Sequence, residues 1–148
     1  VSDLSIELLT QDRAIELWPE MVPLVEKSAM GNAISAATMD PQYVFNAIVA
    51  DEAVIFAGFD GGKLSTILGI QFSDANGTKC ADIIVLAGRK LTAFKRLYWE
   101  PILDWLRANQ VKFLDSYVPM DRAMLYMNKF GFDKSCAHIR MSLGKNDG

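Results

Sequence analysis

The sequence has little of what metal and redox chemistry needs. It contains two cysteines, Cys80 and Cys136, and a single histidine, His138. The cysteines lack metal-ligand spacing, and two thiols build no disulfide framework, so a reducing cytoplasm is the simplest setting. Each thiol sits in an apolar segment and reads as a packing residue. A Gly-rich Walker loop and a serine-nucleophile elbow are both missing. No apolar run reaches the ~18–20 residues of a membrane span. The opening "VSDLSIELL" carries no basic stretch followed by a long apolar one. Excess charge is missing too: the net value is −3, which argues against a general nucleic-acid binder.

What is present is a globular composition, 51% hydrophobic over 148 residues, enough for one domain with a real core. Residues 1–143 read as that domain and "GKNDG" (144–148) as a polar tail. Residues 4–9 alternate as a first strand. A helix is expected over 10–30, with Thr10 as N-cap and Leu17, Met21, Leu24 and Val25 on its apolar face. Pro19 and Pro23 predict that it breaks into two pieces or kinks. Residues 31–40, "GNAISAATMD", read as loop, and Asp40-Pro41 opens a second helix running to about Ala50.

Three strands follow: "AVIFAGF" up to Asp60-Gly61-Gly62, "KLSTILGIQF" up to "DANG", and "KCADIIVLA". Connections this short imply antiparallel neighbours. Over 92–109, Phe94, Leu97, Tyr98, Pro101, Ile102, Trp105 and Leu106 form an apolar helical stripe, with Pro101 expected to bend it. "KFLDSYV" reads as a fifth strand, 120–130 as a last helix and 135–143 as a final strand. The fourth strand, long helix and fifth strand form a crossover, whose two strands should be parallel. The fold class is therefore α/β (in the α+β sense), a mixed, mostly antiparallel sheet with helices on both faces. The order is β-α-α-β-β-β-α-β-α-β.

That order resembles the GNAT superfamily of N-acetyltransferases over essentially the whole chain. The resemblance implies that the fourth and fifth strands splay and that acyl-CoA lies in the gap. Its diphosphate would rest on backbone amides at the start of the following helix, where unpaired N–H groups and a positive dipole end suit an anion. The family's loop, Arg/Gln-x-x-Gly-x-Gly/Ala, matches "KLTAFK". Lys90 stands at the Arg/Gln, Ala93 at the first glycine and Lys95 at the second small position. Lys95 departs from the pattern, while Arg89, Lys90, Lys95 and Arg96 put four cations within eight residues. They can hold phosphates by charge.

The closing stretch "AMLYMNKFGF" (123–132) resembles the family's Ala–Tyr–Gly-Phe helix end. Anchored on Gly131-Phe132, the family's proton-donating tyrosine falls on Met127, its alanine on Ala123 and an often-found asparagine on Met120. Methionine donates no proton. Tyr126 lies one residue away, about 100° around an ideal helix. In "CADIIVLA", Asp82 stands where some members carry a base, and half-burial would raise its pKa to a useful range. Asp115 and Ser116 are weaker alternatives. The backbone amides of Leu86 and Ala87 would polarise the thioester.

Two functions stand side by side. One is an acyl-CoA-dependent N-acyltransferase, using acetyl-CoA or another acyl-CoA and an amine acceptor shaped in part by the 31–40 loop. The other is a GNAT-fold binding or structural protein without catalysis, of the kind found in tailed-phage particles, which would make it virion-associated. For it, a protein partner or homo-oligomer would dock on a face supplied by Trp18, Trp99 and Trp105.

Overall fold

Residues 3–31 (side chains through Lys27), 40–116, 127–133 and 141 are described by the computed structural model of the chain. Strand β1 (Leu4–Leu8) leads into helix α1 (Gln11–Gly31). Thr10 caps α1, its Oγ1 accepting from the Arg13 N–H at 3.2 Å. Contrary to the expected break, α1 is one element with Pro19 and Pro23 inside it. The two prolines are four residues apart and both exposed, so the carbonyls they leave unbonded lie on the wet face. Two interior prolines cost roughly 3 kcal/mol each. Burial of Leu17, Met21 and Val25 on the other face returns a similar sum, at roughly 1.5–3 kcal/mol per side chain.

Helix α2 (Pro41–Val49) starts as the sequence predicts, with the Asp40 carboxylate accepting from the Tyr43 N–H at 3.0 Å. Strands β2 (Ala53–Asp60), β3 (Lys63–Ala75) and β4 (Thr78–Gly88) form an antiparallel meander. Asn76 and Gly77, both at positive φ (55° and 84°), make the β3–β4 turn, which carries β3 three residues past the expected Phe72. Helix α3 (Leu91–Ala108) then crosses to β5 (Phe113–Asp115), which pairs parallel to β4. The sheet order is β1-β2-β3-β4-β5. Met127–Phe130 are helical and Gly131, at φ 81°, ends that turn. The rest of the expected last helix and the strand with Cys136 and His138 lie outside the described residues. No helix among the described residues is long and apolar enough to cross a membrane.

The sheet is covered on both sides. Leu17, Met21, Val25, Val44 and Ile48 meet Ile55, Ile67 and Val85 on one face. Phe94, Trp99, Ile102 and Leu106 meet Phe56, Leu68, Ile70 and Ile83 on the other. Trp99, which the predicted stripe omitted, is buried, whereas Leu97 is 40% exposed and Pro101 lies in solvent. Trp99 is buried, and Trp18 and Trp105 are half-buried, each packed against a core cluster. Trp99 stacks edge-on against Phe130, Trp105 against Phe56, and Trp18 leans on Phe45, at ring distances of 5.1–5.3 Å.

One irregularity positions everything that follows. Gly69 pairs with Val85 and Ile70 with Ile83, so Ile84 has no partner on β3 and forms a bulge. Before it, Ala81 and Ile83 face α3; after it, Val85 and Ala87 join Ile84 on the α1/α2 face. Gly69 makes room for this, since a Cβ there would stand 2.5 Å from Val85 Cγ1.

Candidate active site

Among the described residues, the β4–β5 ladder has three rungs: Cys80–Phe113, Ala81–Leu114 and Asp82–Asp115. It ends two residues before the bulge, while β4 continues to Gly88. Asp82 thus stands at the last rung, with the parity of Ile84, on the α1/α2 face.

Its surroundings are polar on both flanks. Across β3 its register partner is Gln71, whose Oε1 accepts from the Tyr43 hydroxyl at 2.7 Å and whose Nε2 donates to Glu52 at 3.4 Å. Across β5 stands Asp115. Asp82 is half-buried, and its carboxyl is raised above the usual carboxylate range, first by burial and then by the charge of Asp115. The rise that half-burial was expected to cause is present.

Beyond Asp82, strand alternation sorts the backbone amides. Arg89 N–H donates to Ser65 O at 2.8 Å, and Ala87 is paired with Ile67 in the same register. The Ala87 N–H therefore points into the β3 ladder, while those of Leu86 and Gly88 point to the β5 side. Of the two amides named from sequence, Leu86 faces the β5 side and Ala87 faces β3.

The entry to α3 is tightly built. Gly88 has φ 124°, and a Cβ there would lie 2.1 Å from Ser65 O. The Arg89 carbonyl accepts from the hydroxyls of Ser65 and Thr66, both buried. Lys90 follows in the left-handed region at φ 57° and caps the helix without a side-chain bond. Its carbonyl accepts from Phe94 N–H at 2.9 Å, so the N–H groups of Leu91, Thr92 and Ala93 have no intrahelical acceptor. Lys90 Nζ is 3.0 Å from Asp60 Oδ2. Arg89 and Arg96 are exposed and Lys95 half-buried; none of the three has an ion-pair partner among the described residues. Arg89, Lys90, Ala93, Lys95 and Arg96 thus all lie in the entry and first turns of α3.

Four participants escaped the sequence: Gly88, the Ser65–Thr66 hydroxyls, Gln71 with Tyr43, and Asp60. A polar Ser-Thr pair inside an apolar strand was a visible signal for the second. Tyr126, Ala123, Met120 and His138 lie outside the described residues, and Met127 is helical and half-buried. Ser116 Oγ is buried and has no hydrogen-bond partner among the described residues. No metal-binding group of His, Cys, Asp or Glu occurs among the described residues.

No family model matches the chain, and no curated protein matches it in sequence. Solved structures do. The chain is similar to a ribosomal-protein-alanine N-acetyltransferase from Brucella melitensis biovar Abortus 2308, at TM-score 0.64 and 15% identity over 94% of this chain and 99% of that one. It is similar to an aminoglycoside acetyltransferase from an uncultured soil metagenomic sample, in complex with sisomicin, at TM-score 0.66 and 12% identity over 96% and 97%. It is similar also to a predicted acetyltransferase from Clostridium acetobutylicum, solved with acetyl-CoA, at TM-score 0.65 and 14% identity over 95% and 96%.

Proposed function

We propose that this chain, which has the GNAT fold, is an acyl-CoA-dependent N-acyltransferase. One observation carries the reading. Among the described residues the pairing of β4 with β5 ends at Asp82, and β4 runs on through Gly88 into α3. A carboxylate placed as a base and a cationic helix start therefore stand at the two ends of a single stretch of strand. From Asp82 to Gly88 is roughly 20 Å at the usual strand rise. That suits a long, thin co-substrate with an anion at one end and a reactive carbonyl at the other.

Acetyl-CoA or another acyl-CoA would supply an activated acyl thioester. The open amides of Leu91, Thr92 and Ala93 suit its diphosphate, with Arg89, Lys90, Lys95 and Arg96 adding charge. Lys95 takes the position where the family has a small residue, so the hold is by charge more than by close backbone approach. The N–H of Gly88, on the β5 side of the strand, lies at the anion end of that stretch, next to the helix start. Asp82 takes the proton of an ammonium acceptor, freeing the lone pair that attacks. A thiol of pKa ~8.5 leaves acceptably near neutrality, so Met127 in place of an acid is tolerable.

The acceptor in this reading is an amine. Two structural neighbours are named for amine acceptors, an aminoglycoside and a ribosomal-protein alanine, and carboxylates around Asp82 favour a cation. Acyl-CoA use would make the cytoplasm its place of work. The second reading, a GNAT-fold binding or particle protein without catalysis, draws on Lys95 and Met127, two departures from the family's motifs.

Calorimetry with acetyl-CoA tests the first step, and thiol release with sisomicin, spermidine and an N-terminal alanine peptide tests the second. Micromolar binding with amine-dependent thiol release is expected. No binding at millimolar acetyl-CoA would leave the second reading standing.

A further inference from the structure

Asp115 has no part in the reaction as stated, and its placement gives it one. It is the rung partner of Asp82, and partners in a parallel ladder project to the same face. Both residues are half-buried. Neither carboxylate has a hydrogen bond or an ion pair among the described residues. Like charges on neighbouring strands destabilise a sheet, so the pair has no structural merit to explain it.

We propose that Asp115 works with Asp82 as a pair, the charge of Asp115 strengthening proton capture by Asp82 and drawing in a cationic amine. This rests on the N-acyltransferase reading. Asp82 takes one proton from R–NH3+, and the amine nitrogen forms the C–N bond as the C–S bond breaks. The second nitrogen proton goes to the departing thiolate, giving the thiol, and Asp82 returns its own to water. Asp115 touches none of the reacting atoms in this scheme and acts through Asp82.

The other groups around Asp82 do not supply this effect. On β3, Gln71 is neutral and occupied by Tyr43 of α2 and by Glu52. On β4 itself, the Cys80 thiol is directed to Thr78 O. On α1, Arg13 pairs with Glu7 and Glu16, and no ion pair among the described residues joins α1 to Asp82. The raised proton affinity of Asp82 has burial as its first cause and Asp115 as its second.

Carboxyl 13C shifts followed against pH in the full chain read the pairing without any substrate. The Asp82 midpoint is expected to move to lower pH in Asp115→Asn and to return toward wild type in Asp115→Glu. High salt should lower it in the wild-type protein, since a half-exposed like-charge coupling is screened; this needs no variant to fold. In the thiol-release assay with the accepted amine, the acid limb of kcat/KM should shift in the same direction. An Asp82 midpoint indifferent to both Asp115→Asn and salt overturns the pairing, however active the enzyme. A midpoint that moves in a protein that acetylates none of the amines refutes the catalytic role, and the enzyme reading with it.

Discussion

Lys90 and Asp60 are joined by an ion pair, Nζ to Oδ2 at 3.0 Å, that ties the entry of α3 to the end of β2. Both side chains are more than a third exposed (47% and 36%), so the pair is worth at most about 1 kcal/mol. A diphosphate competing for Lys90 must displace it. Asp60→Asn should therefore tighten acetyl-CoA binding by no more than about fivefold. Lys90→Glu with Lys95→Glu should weaken it strongly, and more at low salt than at high. Titration calorimetry at two ionic strengths decides both; an unchanged affinity in the double variant removes the phosphate role.

Asp82→Asn separates catalysis from stability. Turnover at neutral pH should fall about 10²-fold or more, with acetyl-CoA affinity unchanged. The fold should gain. Because the folded-state pKa of Asp82 is raised, the folded chain holds this proton more tightly than the unfolded chain does. The associated stability is present below the unfolded value of ~3.9 and lost as pH rises through the folded one. The variant should thus melt higher than wild type at pH 7, and the gap should close toward pH 3.

Two glycines should differ in their tolerance of alanine. At Gly88 the new Cβ meets the backbone oxygen of Ser65 at 2.1 Å with φ at 124°, and neither can yield. At Gly69 it meets Val85 Cγ1 at 2.5 Å, a side chain with other rotamers. Gly69→Ala should cost about 1–3 kcal/mol, and Gly88→Ala more, with strain added to overlap. Urea unfolding ranks them, and the reverse order would contradict the close approach at Gly88.

Trp99 anchors the segment after β5, donating from Nε1 to Phe130 O at 3.2 Å and touching the rings of Phe130 and Phe132. Trp99→Ala should cost about 3–5 kcal/mol. Trp99→Phe keeps most of the ring contact and loses the hydrogen bond, about 0.5–1.5 kcal/mol. Hydrogen exchange at 127–133 should quicken in both, and much more in the alanine variant.

For Tyr126, which lies outside the described residues, the expectation comes from the tolerable thiol leaving group. Tyr126→Phe should keep turnover within a few-fold of wild type. A folded, acetyl-CoA-binding Tyr126→Phe protein without turnover would make Tyr126 the acid.

Short-range chemistry was legible in the sequence. Thr10 and Asp40-Pro41 announced helix starts because a cap is chosen within three residues, and Asn76-Gly77 announced its turn for the same reason. Asp82 stood out as a carboxylate in an apolar strand. The bulge was not legible, because "IIVL" is apolar throughout and both faces of β4 are buried, so alternation leaves no mark. The continuity of α1 depends on burial by distant strands, which outweighed its prolines. The pairing of Asp82 with Asp115 joins residues on either side of a whole helix, and no local pattern reports it.

The unpaired Ile84 makes β4 a strand with two reading frames. Up to Ile83, odd positions look toward α3; from Val85, odd positions look toward α1 and α2. In the acyltransferase reading the two halves would carry different tasks, the base before Ile84 and the helix entry after it. Removing Ile84 would join two ladders that are already in step, since Ile83 stays opposite Ile70 and Val85 opposite Gly69. Val85 and Ala87 would keep their core and Gly88 its place beside Thr66, while β4 would lose the local bend and added twist of the bulge. The spare residue is thus a removable splice, whose loss straightens the strand without reassigning any side chain downstream.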